Sequence, residues 1–468
     1  MAAKLTLIQP RHIYAPDFKE KQLGHIYMPT SLIAIASVLK KTGIQVSLYD
    51  ENIDMFDWHS NIIGINLLGA PYIPCAIDYL KKLNDKFGEN NYRLVIGGQV
   101  VNGLTKEQFF SLFGKNAING NNIHELASLF GLRAEQFSPV EKISFIDGYN
   151  LLDDNNFRLY LQTEAGFYLS QGCKYSCTFC GASRSRINPI TNQKERCVEQ
   201  YRDIDMAVKD IEFLIQKSLQ FDIHELNFYL SNLDLFQTPD CLSKFADKLL
   251  LLKEKYLNFD IHFRALATVK SFLDVHKNCP ELLFKLVKVG LNKIGFGVDG
   301  ASPIVWKKTK KPHTKSACIN AIKVIKETYG IIPEILMVFG YDEFDNEETL
   351  KLTLDFAHQM NDIYGAIPRP HVAKDVLPGS DNWYKKEYAE KVNCLINNPN
   401  LFVNLDFTAL PSEITHANER FRELTAKYYL EMCAMSDSLT QYVKPISQEM
   451  SDSELQDVVK FNLERYDF

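Results

Sequence analysis

The sequence predicts an α/β protein: a doubly wound parallel sheet over residues 1–140, then an open barrel of six strand–helix units over residues 163–380. Two observations support this fold class. Short apolar runs alternate with segments whose apolar residues recur at helical spacing in both regions. Such alternation is typical of parallel sheets covered by helices. A linker is predicted at residues 141–162, where periodicity is weak, and a mainly helical region at residues 381–468.

The first region begins with the apolar run KLTLIQP, followed by the amphipathic segment MPTSLIAIASVLKKTG with Gly43 as its stop. Further strands are predicted at QVSLYD, NIIGINLL, RLVIGG and NAING, with helical patterns after them. Ligands of doubly wound sheets bind beyond the carboxyl ends of the strands. We therefore expect the loops after Gln9, Leu68, Gly98 and Gly120 to face one site. The glycines in these loops also fit ordinary tight turns.

The barrel strands are predicted at AGFYLS, ELNFYL, DIHFRA, NKIGFGV, EILMVFG and YGAIPRPHVA, each followed by a helical pattern. Six parallel units fit an open barrel. Barrel enzymes place their chemistry on the loops at the carboxyl ends of the strands. These loops are therefore expected to converge on one site.

A loop with the spacing CxxxCxxC follows the first barrel strand and contains Cys173, Cys177 and Cys180. Thiolates are the usual ligands of iron–sulfur clusters, and a four-iron cluster held by three cysteines leaves one iron open for another ligand. Structural zinc is the main alternative, but it prefers four protein ligands, usually in two separated pairs. A disulfide is disfavoured in a chain without a secretory signal. The loop is predicted to hold a 4Fe-4S cluster.

With Phe179 directly before the last cysteine, this motif resembles the signature of radical S-adenosylmethionine (SAM) enzymes, which have a partial (β/α)6 TIM-like barrel. The resemblance implies that the open iron binds SAM and that an external electron donor of the flavodoxin or ferredoxin type drives its cleavage to a 5′-deoxyadenosyl radical. The segments FGVDGASPIVWKKTKK, MVFGYDEFDNEETLKLTLDFA and VAKDVLPGSDNWY are similar to later loops of the family. The residues expected to bind SAM are Phe179, Ser231, Asn232, Arg264 and Asp299.

Two of these residues could have structural roles instead of binding SAM. Asp299 could cap a helix or be solvated, and Arg264 could form a structural salt bridge. The run KKTKKPH is predicted to be a solvated basic loop, with a grip on an acidic substrate as the alternative.

The N-terminal segments MPTSLIAIASVLKKTG, IIGINLLGA, LVIGGQVV and INGNNIHEL resemble the Rossmann-like cobalamin-binding domain that precedes many radical SAM domains. INGNN departs from the family's Gly-Glu-Gly-Glu run, and the DxHxxG motif that donates an axial histidine is absent. The resemblance implies that cobalamin binds at the sheet edge, near Gln9, Leu68, Gly69, Gly97, Gly98, Gln99, Gly120 and Asn121.

Together these resemblances imply a cobalamin-dependent radical SAM enzyme, foremost a methyltransferase acting on an unactivated carbon. The alternatives are a radical SAM enzyme that cyclises, rearranges or oxidises its substrate, with or without cobalamin, and a non-catalytic iron–sulfur protein. A small molecule, a lipid and a peptide all remain open as substrates.

The net charge of −6 gives no basic field for a phosphate backbone, so nucleic acid is an unlikely partner. No transmembrane segment or signal peptide is visible in the sequence. A cytoplasmic location is therefore expected.

Overall fold

The computed structural model describes residues 4–11, 27–54, 56–181, 185–188, 190–196, 199–436, 450–451, 453–454 and 457–458. Two parallel sheets organise this part of the chain. They correspond to the two regions that the sequence predicts, and the predicted α/β fold class is confirmed.

The N-terminal sheet has the strand order β2-β1-β3-β4-β5, and all its pairs are parallel. Its strands are β1 (Lys4–Gln9), β2 (Gln45–Asp50), β3 (Ile62–Asn66), β4 (Arg93–Gly97) and β5 (Ala117–Asn119). Its helices are α1 (Thr30–Lys41), α2 (Ile73–Phe87), α3 (Gln99–Asn102), α4 (Lys106–Phe113) and α5 (Ile123–Leu129). The strand order reverses between β1 and β3, which is where doubly wound sheets bind their ligands.

The segment predicted as a linker contains two short helices, α6 (Ile146–Tyr149) and α7 (Asp154–Leu161). The amide of Gly148 donates to Ser37 Oγ of α1 at 2.9 Å, and a Cβ on this glycine would lie 2.1 Å from the carbonyl oxygen of Ile33. The glycine therefore lets α6 pack directly on α1.

The second sheet has the order β15-β14-β13-β12-β11-β6, and all its pairs are parallel. Its strands are β6 (Glu164–Phe167), β11 (Glu225–Leu230), β12 (Asp260–Ala267), β13 (Leu291–Gly297), β14 (Ile332–Phe339) and β15 (Ile367–Val372). Between β6 and β11 lie β7 (Ser170–Gln171), β8 (Ser185–Ile187), β9 (Lys194–Arg196) and β10 (Gln200–Tyr201). The prediction of six parallel barrel strands is confirmed.

Helices cover the outside of this half-barrel: α8 (Ile204–Gln220), α9 (Pro239–Lys255), α10 (Val269–Asn278), α11 (Pro280–Lys288), α12 (Pro303–Lys308), α13 (Lys315–Tyr329) and α14 (Glu347–Tyr364). Strand β12 shows how the core forms. Its residues Ile261, Phe263, Ala265 and Ala267 are buried, whereas the alternate ones are partly exposed on the other face. This period of two separates the packed outer layer from the residues that line the barrel interior.

The segment that leads into α1 lies beside the edge strand β6. Tyr27 forms an isolated parallel bridge with Glu164, and Thr30 Oγ1 donates to the carbonyl oxygen of Gly166 at 2.8 Å. The N-terminal region therefore reaches the edge of the half-barrel.

The C-terminal region contains α15 (Ala389–Asn397) and α16 (Glu419–Ala434). Helix α16 packs on α14 and β15 of the barrel. Leu395 and Phe402 share a buried cluster with Ile73 and Leu83 of α2. This region therefore contacts both sheets. None of the described helices is long and apolar enough to cross a membrane.

Candidate active site between the two sheets

A cavity of about 590 Å³ lies between the carboxyl edge of the N-terminal sheet and the interior of the half-barrel. Gln9, Asn52, Asn66 and Leu68 line it from the first sheet, at the reversal between β1 and β3. Residues of all barrel strands except β13 line the opposite side. The volume lies in the usual range for small-molecule sites, and the position matches the ligand rules for both sheet types.

Four alternating charges inside the barrel, Glu164, Arg264, Glu334 and Arg369, form a connected set that we call the charge network. Arg264 binds both carboxylate oxygens of Glu164, at 2.9 and 2.7 Å, and lies 3.5 Å from Glu334. Arg369 Nη2 donates to Glu334 Oε1 at 2.7 Å. All four line the cavity.

Arg264 thus forms the salt bridge that the sequence offered as the alternative, and it also faces the cavity. Its guanidinium lies 4.4 Å from the ring centre of Tyr229, its cross-strand neighbour. The sequence reasoning missed Glu164, Glu334, Arg369 and His371, which line the same cavity. The sequence could have indicated them, because each is a polar residue in an otherwise apolar strand. A strand buried on both faces would not tolerate a polar side chain at such a position without a partner.

The cysteine loop follows β6 at the carboxyl end of the barrel, and Cys173, Cys177 and Cys180 are half-buried thiols. The loop is fastened at both ends. The amide of Lys174 donates to Gln237 Oε1 at 2.6 Å, and the amide of Thr178 donates to the carbonyl oxygen of Thr309 at 3.3 Å. Burial raises the pKa of Cys173 to about 11 and also raises that of Cys177, where the nearby Lys311 opposes the effect.

Lys311 and Asp299 form a buried ion pair beside this loop. Lys311 Nζ lies 2.6 Å from Asp299 Oδ2, and the two side chains are 9% and 3% exposed. Burial acts to lower the pKa of Lys311, but Asp299 and the thiols of Cys177 and Cys180 hold it above its usual value. The prediction of a solvated loop is therefore wrong for Lys311, although Lys307, Lys308 and Lys310 are exposed.

Phe179 lies in the same cluster. Its ring centre is 5.9 Å from that of Tyr341 and 5.8 Å from Lys311 Nζ. The hydroxyl of Tyr341 is buried and has no hydrogen-bond partner in the described part of the chain. Buried polar atoms are nearly always paired, so this orphan hydroxyl fits a place where a polar ligand binds.

Ser231 and Asn232 follow β11, but they lie in different surroundings. Ser231 is exposed and lines the cavity. Asn232 is buried, donates to Ser170 Oγ at 2.9 Å and accepts from the amide of Leu169 at 3.3 Å. Asn232 therefore fixes the start of the cysteine loop through hydrogen bonds.

The residues expected to bind cobalamin all lie at the carboxyl edge of the N-terminal sheet. Gln9 and Leu68 line the cavity, and Leu68 is 54% exposed. Gly98 has φ +107°, and a Cβ there would lie 2.4 Å from the carbonyl oxygen of Leu67. Asn121 joins two loops, because its Nδ2 donates to the carbonyl oxygen of Gly98 at 2.8 Å. The others in this group are Gly69, Gly97, Gln99 and Gly120.

Residues 167–353 match the family model of the Radical SAM superfamily. This part of the chain is a radical SAM domain. The matched segment begins in β6 and contains the cysteine loop and the pair of Asp299 and Lys311. Such a domain implies a 4Fe-4S cluster and SAM as cofactors.

The curated relative "Uncharacterized methyltransferase PH0819" of Pyrococcus horikoshii is 25% identical over 261 residues, which are 54% of this chain and 47% of the relative. Among solved structures, the cobalamin-dependent SAM radical enzyme OxsB, with aqua-cobalamin and SAM bound, has a TM-score of 0.55 at 15% identity. The match covers 86% of this chain and 56% of OxsB, and the apo form of OxsB gives a TM-score of 0.54. This chain thus shares its fold with part of OxsB and spans about half the length of both proteins.

The residues present fit an iron–sulfur cluster in their chemistry. Three soft thiols lie in one loop, at the end of the strands where the barrel places its chemistry. Among the described residues, no three histidine, cysteine or carboxylate side chains are grouped to hold a single metal ion. Ligation by these three cysteines stays a prediction. Cys197, the nearest further cysteine in the sequence, lies outside the described residues.

Proposed function

We propose that this radical SAM protein is a cobalamin-dependent methyltransferase that acts on an unactivated carbon of a small molecule. The observation that carries the proposal is the cavity between the two sheets, because residues of both the N-terminal sheet and the radical SAM barrel line it. The methyltransferase name of the relative and the cobalamin-dependent fold relative support it.

In this proposal Cys173, Cys177 and Cys180 hold the cluster, and Phe179 and Asp299 border the bound SAM. The edge formed by Gln9, Leu68, Gly69, Gly97, Gly98, Gln99, Gly120 and Asn121 holds cobalamin. When bound, the reduced cluster and SAM supply the 5′-deoxyadenosyl radical, and cobalamin supplies the methyl group.

The chain's own contribution is placement and exclusion of water. Ser231, Arg264 and the rest of the charge network face the cavity and orient the substrate. Tyr27 and Thr30 line the cavity beside the edge strand β6. Holding the reacting groups in one geometry removes much of the entropic barrier to reaction.

Two partners complete the proposal. The cluster receives its electron from a small flavodoxin- or ferredoxin-type protein in the cytoplasm. The substrate is a small polar molecule rather than a lipid, because the barrel side of the cavity carries the charge network.

The test is anaerobic purification with cobalamin supplied, followed by incubation with SAM and a strong reductant. We expect about four irons and about one cobalamin per chain, and release of 5′-deoxyadenosine. Cys177→Ala should abolish that release, whereas Cys241→Ala, a matched change outside the loop, should leave it intact. Release at the normal rate from Cys177→Ala would refute the cluster assignment.

Methyl transfer also converts SAM to S-adenosylhomocysteine. With substrate present, formation of both products would support the methyltransferase. If the substrate were converted and SAM yielded 5′-deoxyadenosine but no S-adenosylhomocysteine, the reaction would be a non-methylating one instead.

A further inference from the structure

The turn after β15 lies where the cysteine loop, the loop after β13 and the N-terminal sheet meet. Asp381 connects three segments there. Its amide donates to the carbonyl oxygen of Thr178 in the cysteine loop at 3.1 Å, and its carboxylate oxygens lie 3.1 Å from Lys194 Nζ and 3.3 Å from Lys310 Nζ. Lys194 belongs to the hairpin β8–β9, and Lys310 follows α12.

The same turn contacts the N-terminal region backbone to backbone. A Cβ on Gly103, which follows α3, would lie 2.2 Å from the amide nitrogen of Gly379. A Cβ on Gly181, directly after the last cysteine, would lie 2.7 Å from the carbonyl oxygen of Pro378. Three backbone segments therefore pack here without intervening side chains.

Hydrogen bonds between side chain and main chain surround this contact. The hydroxyl of Tyr384 donates to the carbonyl oxygen of Gly103 at 2.7 Å, and Trp383 Nε1 donates to Gln108 Oε1 of α4 at 3.1 Å. The hairpin also contacts α4, because Asn192 Oδ1 accepts from the amide of Lys106 at 3.0 Å. We call Gly103–Gln108, Thr178–Gly181 and Pro378–Tyr384 the junction.

We propose that Gly103, Gly379 and Asp381 are positioning residues that fix the cysteine loop at a set distance from the edge of the N-terminal sheet. The proposal rests on the proposed function, in which these two elements carry the two metal cofactors. Backbone packing suits this task because it lacks the rotamer freedom of long side chains. A misplacement of about 1 Å can slow a reaction about 100-fold, which makes such rigidity valuable.

The ion pairs of Asp381 are too exposed to serve mainly as stabilisers, since pairs of this kind contribute little to folding. Their arrangement is more informative, because the carboxylate of Asp381 binds Lys194 and Lys310 from two separate segments, and its backbone amide binds Thr178 in the cysteine loop. Gly103 has φ −90° and ψ −8°, which alanine also adopts. Alanine at this position therefore tests the close approach alone and adds no backbone strain.

The first test is hydrogen–deuterium exchange on the full chain without cofactors. Asp381→Asn and Gly103→Ala should each raise amide exchange in residues 176–181 and in residues 103–108 together. The controls are Asp355→Asn and Asp247→Asn, which break exposed ion pairs on α14 and on α9. Both controls should leave the two segments as in the wild type. Unchanged exchange in both junction variants would overturn the proposal.

The second test uses the loaded protein. Pulsed electron paramagnetic resonance measures the dipolar coupling between the reduced cluster and the cobalt(II) form of cobalamin. The junction variants should broaden the distance distribution, while the controls should match the wild type. A wild-type distribution in both junction variants would overturn the positioning role. If the wild type bound no cobalamin, the proposed function would fail, and the exchange measurement would still decide whether the junction couples the two segments.

Discussion

Replacing Lys311 by methionine should destabilise the barrel mouth, because it leaves the carboxylate of Asp299 buried without its counter-charge. The two side chains are 9% and 3% exposed, and their charged atoms are 2.6 Å apart. Removing one partner of such a buried pair costs about 3–5 kcal/mol. The neighbouring Lys310 is 59% exposed and lies 3.3 Å from Asp381. Lys310→Met removes the same functional group from a solvated pair, where we expect a loss below about 1 kcal/mol.

Urea unfolding of the cofactor-free chain gives the comparison, with Asp299→Asn and the double variant Asp299→Asn/Lys311→Met completing a double-mutant cycle. The double variant should lose less stability than the sum of the two single losses, because it no longer buries an unpaired carboxylate. Equal midpoints for Lys311→Met and Lys310→Met would refute this reasoning. Additive losses in the cycle would show that the two groups do not interact in solution.

Three further predictions concern other parts of the molecule. Gly98→Ala places a Cβ about 2.4 Å from the carbonyl oxygen of Leu67, so the ratio of bound cobalamin to iron should fall at least about tenfold at unchanged iron content. Arg202→Leu leaves the fully buried carboxylate of Asp210 unpaired and should lower stability by about 3–5 kcal/mol, measured by denaturant unfolding. Burial raises the pKa of Asp375 to about 7, so the stability associated with its neutral form is complete below about pH 4 and is lost as the pH rises through about 7. Asp375→Asn should therefore raise the unfolding midpoint more at about pH 8.5 than at about pH 5; an equal effect at both values would contradict it.

The sequence predicted both sheets because each strand is a short apolar run followed by an amphipathic helix. That pattern is a local periodicity, which can be recognised within a short stretch of the sequence. The rules that govern connections between parallel strands then leave only a few possible topologies for the doubly wound sheet and for the six barrel units. The position of the cysteine loop was predictable for the same reason, since it follows the first barrel strand directly.

Pairing across the barrel was not predictable, because it joins residues far apart in the chain. Lys311 belongs to a run of lysines that is typical of a solvated loop, yet it forms a buried ion pair with Asp299. Asn232 is a similar case. It follows a strand at a position where the family resemblance implies a ligand contact, yet its side chain bonds Ser170 and Leu169.

Arg264 shows that a structural and a functional interpretation of one residue need not compete. Its bonds to Glu164 fix the orientation of the planar guanidinium, and about a quarter of its side chain stays exposed to the cavity. An arginine anchored in this way loses little further freedom when a ligand binds, so the charge network lowers the entropic cost of binding a polar substrate. The same network keeps the cavity electrically balanced, with two carboxylates and two guanidinium groups. A lipid chain placed there would remove water from these ion pairs and would offer no hydrogen bonds in return, which is the physical reason that the cavity favours a small polar molecule.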